Sequence, residues 1–172
     1  MVEDSLKSGS SDYFPPVFRE VQSFRNNKLI WVSYVVLIIA SAFLIYAMAD
    51  QHSKNKPFFP LLLPLGFIVL IFFFTFNLRL VIEITPYELR FKMIPLMFKK
   101  KVYQLTEIEK CEPVVYKPIA EYGGWGIRRG REMWAYNVYG NRGVVVYLRS
   151  GKKFLLGSQK PEELARSLMQ PL

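Results

Sequence analysis

Few side chains in this sequence are of types that do chemistry, and where they stand says more than how many there are. One histidine (His52) and one cysteine (Cys111) are present, and from Leu78 onward there is neither Asp nor His. A Ser-His-Asp arrangement is therefore unavailable in that half, as is a zinc site with histidine ligands. A single cysteine also excludes an intramolecular disulfide and a multi-cysteine metal site. Cys111 as a nucleophile would have no histidine to activate it; free cysteine is commonly a small buried hydrophobe, the reading adopted here. Glu107, Glu109 and Glu112 form a carboxylate cluster. Lys110 among them favours their ionised forms, which suits a solvated strand edge better than acid–base catalysis. The glycine-rich YGGWG at Tyr122–Gly126 has neither the GxxxxGK(S/T) nor the GxGxxG spacing of a phosphate cradle. Its glycines are expected to supply positive φ or a bulge beside Trp125; the lesser alternative is that such a bulge re-aims side chains at a binding surface. The sequence reads as non-enzymatic, with no cofactor and no metal site.

What remains is positive charge. The chain carries a formal +9, and residues 78–172 hold 17 Lys/Arg against 9 Asp/Glu. Three clusters stand out: Lys99, Lys100 and Lys101; Arg128, Arg129 and Arg131; Lys152 and Lys153. Together with Trp125 these are the candidate membrane- or partner-binding residues. If the clusters converge, each charge near an anionic leaflet contributes about 1 kcal/mol. If they do not, they are solvated faces and edge lysines that block aggregation. Spacing alone leaves both open. Nucleic acid is not expected as a partner of a domain tethered to lipid.

The elements that must carry these residues begin with two apolar runs. Leu29–Ala49 is uncharged over 21 residues, long enough as a helix to reach about 31 Å, against a hydrocarbon core of about 30 Å. Trp31, Tyr34 and Tyr46 near its ends suit interfacial aromatic belts. Asp50–Pro57 is a short polar link, and Phe58–Phe76 is the second run, with Pro60 and Pro64 near its start. So short a link predicts an antiparallel hairpin, residues 29–77. Neither span holds an ionisable side chain, which argues against transport. Arg19, Arg25 and Lys28 precede the first span and many cations follow the second, whereas the link has only Lys54 and Lys56. The positive-inside rule then puts both termini in the cytoplasm. Residues 1–28 are a cytoplasmic tail, polar over Met1–Asp12, with Val17–Arg25 as a short amphipathic turn or two, either resting among lipid headgroups or serving as a simple lead-in.

Residues 78–172 form the third region. Alternation of apolar and polar residues predicts strands at Leu78–Ile84 and Glu88–Met93, joined by a turn at Thr85–Tyr87. Further strands are expected at Met97–Gln104, Glu109–Tyr116, Glu132–Tyr139, Gly143–Arg149 and Lys153–Leu156, with a tight connection at Ser150–Gly151. Pro161–Gln170 closes the chain as a helix, Leu164, Leu168 and Met169 on one face and Glu162 and Glu163 in the first turn. About seven antiparallel strands closed into a small barrel, with a terminal helix, would bury these faces.

Three stretches carry a family resemblance: ITPYELRF at Ile84–Phe91 leading into KKKVYQLTEIEKCE at Lys99–Glu112; YGGWGIRR at Tyr122–Arg129; and GNRGVVVYLRSGKKFLLGSQKPEEL at Gly140–Leu164. In this order and spacing, after two apolar helices and FREVQSFR at Phe18–Arg25, the chain resembles the bacterial pleckstrin-homology-like (PH-like) domains of small membrane proteins. The resemblance implies a PH-like barrel with a C-terminal helix in a bacterial cytoplasmic membrane, and little about activity. Relatives that bind phosphoinositides use basic residues around the first hairpin. Here that turn, Thr85–Glu88, has none, so that site does not carry over. The function expected is a membrane-anchored scaffold or regulator of a membrane-associated protein or of a homo-oligomer, docked on the bilayer by its basic face. The alternatives are a reader of anionic lipid headgroups and, more weakly, a small lipid-acting enzyme.

Overall fold

The structure, a computed structural model, describes residues 15–26 and 28–169, apart from the side chains of residues 28 and 29. The expected polar tail over Met1–Asp12 lies outside these. The chain forms two compact units, one over Ser23–Leu78 and one from the residues on either side of that segment.

The helical unit holds α1 (Lys28–Ser53) and α2 (Leu62–Asn77). Helix α1 continues one turn past the apolar run, because Asp50, Gln51 and His52 carry no helix-breaking feature and Asn55 takes the left-handed conformation just beyond. The prolines of the second run do not kink it. Pro60 sits in a 3₁₀ turn (Phe59–Leu61) and Pro64 in the first turn of α2, where a missing N–H leaves no hydrogen bond unmade. Two spans, Ile30–Ser53 and Phe59–Asn77, are long and apolar enough to cross a membrane, and almost none of their surface is buried within the protein. Tyr34 is an exception to the expected aromatic belt. It is buried, its ring 4.7 Å from that of Phe72 and 5.9 Å from that of Trp31.

Among its described residues the second unit has nine strands in two sheets rather than seven in a closed barrel. One sheet runs β1-β2-β3-β4, from β1 (Phe18–Ser23), β2 (Arg79–Ile84), β3 (Glu88–Ile94) and β4 (Lys101–Gln104). The other runs β5-β8-β9-β7-β6, from β5 (Ile108–Val115), β6 (Gly126–Arg129), β7 (Trp134–Asn137), β8 (Arg142–Leu148) and β9 (Lys153–Gly157). Nor is every pairing antiparallel: β7 runs parallel to β9, with Trp134 beside Phe154 and Tyr136 beside Leu156. A five-residue helix, α3 (Pro118–Tyr122), ends at Gly123 in the left-handed conformation, which only glycine adopts without strain. Helix α4 (Pro161–Met169) packs on β5 and β8 through Leu164, Ala165 and Leu168, whereas Met169 faces outward, contrary to expectation.

The segment expected as an amphipathic turn is strand β1. Its side chains alternate in burial: Phe18, Glu20 and Gln22 point inward, Arg19 and Val21 outward. The inward polar pair finds partners at the far end of the chain. Gln22 donates to the Gly157 carbonyl at 2.7 Å; Glu20 accepts from the Ser158 hydroxyl at 2.6 Å and from the Gln159 amide at 2.8 Å. Hydrogen bonds to a carboxylate contribute about 1.5–3 kcal/mol each, so this clamp ties the edge of the first sheet to the end of β9. The two sheets meet through Phe91, whose ring lies 4.9 Å from Tyr136 and 5.6 Å from Phe154.

Candidate functional site

Tyr103 lies two residues beyond Lys101 on β4, so both side chains leave the same face of the strand. The parallel pairing of β7 with β9 sets Trp134 against Phe154, and the turn before β9 supplies Lys152 and Lys153. These elements enclose an open groove of about 470 Å³ lined by Lys101, Arg129, Lys152 and Lys153 from all three basic clusters, with Tyr103, Trp134, Tyr136 and Phe154 among its other walls. Tyr103 and Phe154 stack with centroids 5.0 Å apart. Burial raises the Tyr103 phenol above its ordinary value, partly opposed by the nearby Lys101 ammonium.

The four cations are held in different ways. Lys101 donates to the Tyr136 hydroxyl. Arg129 lies over the Trp134 ring, 5.8 Å from its centroid, within cation–π range. Lys153 forms an ion pair with Glu132 at 2.5 Å, which raises the lysine and lowers the carboxyl from their ordinary values, so both stay ionised. Lys152 is exposed. With Glu132 the lone carboxylate on the wall, the groove carries a formal excess of three positive charges. Such a surface attracts anions by charge; of its aromatic walls Trp134 is exposed, whereas Tyr136 and Phe154 are buried.

The other candidates lie elsewhere. Lys99 is exposed in the loop before β4, and Lys100 lines a recess of about 240 Å³ with Glu83, Arg90 and Lys92. Arg128 alternates with Arg129 on β6, and its Nε donates to the Trp125 carbonyl at 3.1 Å. Arg131 lines an adjoining recess of about 520 Å³ with Glu121 and Tyr122. Trp125 is half-buried, its indole N–H donating to the Gly140 carbonyl at 2.9 Å. That bond anchors the ring against the loop between β7 and β8. The glycines around it, Gly123, Gly124 and Gly126, do take positive φ.

Among the reactive types, Cys111 is half-buried on β5, and burial pushes its thiol up to about 12, the opposite of an activated nucleophile. Glu107 closes a capping box with Gln104. Glu112 accepts from Lys110 and Tyr147, and the lysine chiefly holds its carboxyl below the ordinary value, away from general-acid range at neutral pH. Among the described residues no three His, Cys, Asp or Glu side chains come close enough to hold a metal ion.

The aromatic walls were not singled out from the sequence. Their signal was the two-residue spacing of Lys101 with Tyr103 and of Trp134 with Tyr136, which on strands puts each pair on one face. No family model, no curated protein and no solved structure matches this chain.

Proposed function

We propose that this protein is a non-catalytic, membrane-anchored module whose PH-like β unit scaffolds or regulates a membrane-associated partner, with the basic groove as its docking surface. The observation that carries this reading is the convergence of Lys101, Arg129, Lys152 and Lys153 on one groove. Near an anionic leaflet each such charge contributes about 1 kcal/mol, enough together to orient a tethered domain. Anchoring by α1 and α2 is supported by their length and apolarity. Strand pairing adds a topological argument. Strand β1 precedes the two spans and β2 follows them, yet they are neighbours in one sheet. The chain must return to the side it left, as two crossings require. The excess of cations outside the link favours the cytoplasmic side of a bacterial membrane. Two packed sheets and the terminal helix are compatible with a PH-like unit.

The test is recovery of the full chain from its native membrane by cross-linking and gentle detergent. A stoichiometric partner is expected, lost on K101E/R129E/K152E and retained on R128E, which alters charge outside the groove. Retention of that partner by the triple variant would overturn the docking role. The groove's concavity favours one further reading, an anionic-lipid headgroup reader. Recovery without protein but with one anionic lipid, lost in the same triple variant, would select it.

A further inference from the structure

The loop between β3 and β4, residues 95–100, is built unlike the other turns of this unit. Phe98 is 95% exposed, and Ile94 and Leu96 beside it are 40% and 38% exposed. A lone exposed apolar residue needs no explanation. Here three share one turn, and the exposed Lys99 and Lys100 follow directly. Strand register adds a second observation. Ile94 stands opposite Arg79, and Arg79 is two residues along the chain from Asn77, where α2 ends. The loop therefore springs from the end of the sheet at which the chain, on leaving α2, enters β2.

We propose that residues 95–100 form a lipid-inserting tip, in which Leu96 and Phe98 enter the interfacial layer of an anionic bilayer and Lys99 and Lys100 engage its phosphates. This rests on the membrane-anchored reading of the helices but not on the groove. The occupant is lipid because the tip joins apolar side chains to positive charge, complementary to an anionic leaflet. The tether also removes most of the entropic cost of bringing tip and surface together.

The test uses the full chain in a Cys111→Ala background, carrying a nitroxide at Phe98→Cys, Phe73→Cys or Arg166→Cys, in vesicles of phosphatidylcholine with or without phosphatidylglycerol. Phe73 is exposed on α2 and reports the span; Arg166 is exposed on α4 and reports water. With phosphatidylglycerol present, the label at 98 is expected to show an oxygen-to-nickel-chelate accessibility ratio severalfold above that at 166. Adding K99E/K100E should bring the ratio down. Equal ratios at 98 and 166 in both vesicles, with 73 in lipid, would overturn the tip and leave the anchor standing. Shielding at 98 from oxygen and nickel alike would overturn it in favour of a protein contact. A label at 73 that is open to the nickel chelate would sink the anchor and the tip together.

Discussion

The two units use similar apolar residues to opposite ends. In the β unit Leu80, Ile82, Met93, Val144, Leu156 and Leu164 are fully buried, whereas on α1 and α2 Val36, Ile38, Phe43, Phe67 and Phe73 stand exposed. One unit hides its hydrocarbon from water within its own sheets. The other makes few internal contacts and offers its hydrocarbon outward, which is stable only where the surroundings are apolar too. Side-chain type therefore does not say where a residue sits in this molecule; the solvent each surface is made for does.

The largest effect expected is inside the β unit. Leu156→Ala should cost about 2–5 kcal/mol, the range for emptying a buried leucine site; the denaturant midpoint of the β unit measures it. A loss below 1 kcal/mol would mean the sheets do not seal that core. Next comes a contrast between two exposed valines, Val36 on α1 and Val115 on β5. Val36→Arg, nearly two turns into the span, should cost up to about 2.5 kcal/mol in a membrane-insertion assay, somewhat less than a cation at the helix centre. Val115→Arg should stay within about 0.5 kcal/mol in denaturation, as for an ordinary surface site. Equal tolerance at both positions would erase the distinction between the units. The smallest effect is alkaline and confined to the β unit. Burial pushes the Cys111 thiol and the Tyr116 phenol up to about 12, from 9.0 and 10.0. The fold favours their neutral forms, so this contribution is complete below pH 9 and is lost as pH rises toward 12. The denaturant midpoint should fall over that window, and Cys111→Ala should remove the part that begins near 9.

The parts legible from sequence were those whose signal is local. The apolar runs needed no partner to be read, the alternation in β2 and β3 declared its own period, and β8 and β9 read as short apolar stretches ended by turns. Strand β1 was misread because its buried face carries Glu20 and Gln22, whose partners lie at Gly157, Ser158 and Gln159. A polar inward face looks like an outward one until those partners are known. Strand β4 is shorter than expected because Pro95 and the residues after it form the exposed loop. Strand β6 was missed because glycines and arginines dominate it. For the groove, residue types pointed to the cations, but their convergence depends on the parallel pairing of β7 with β9. No sequence period announces a parallel neighbour reached across an intervening strand.

The clamp made by β1 also sets an order of assembly. As the chain is made, β1 emerges before either span, while Gly157, which its Gln22 holds, comes 135 residues later. Contacts of such separation close late, after the entropy of a long loop has been met. The first strand made must therefore wait at the edge of an unfinished sheet while both helices and eight more strands appear. Completion of the β unit then reports that both helices, and every strand after them, have been made.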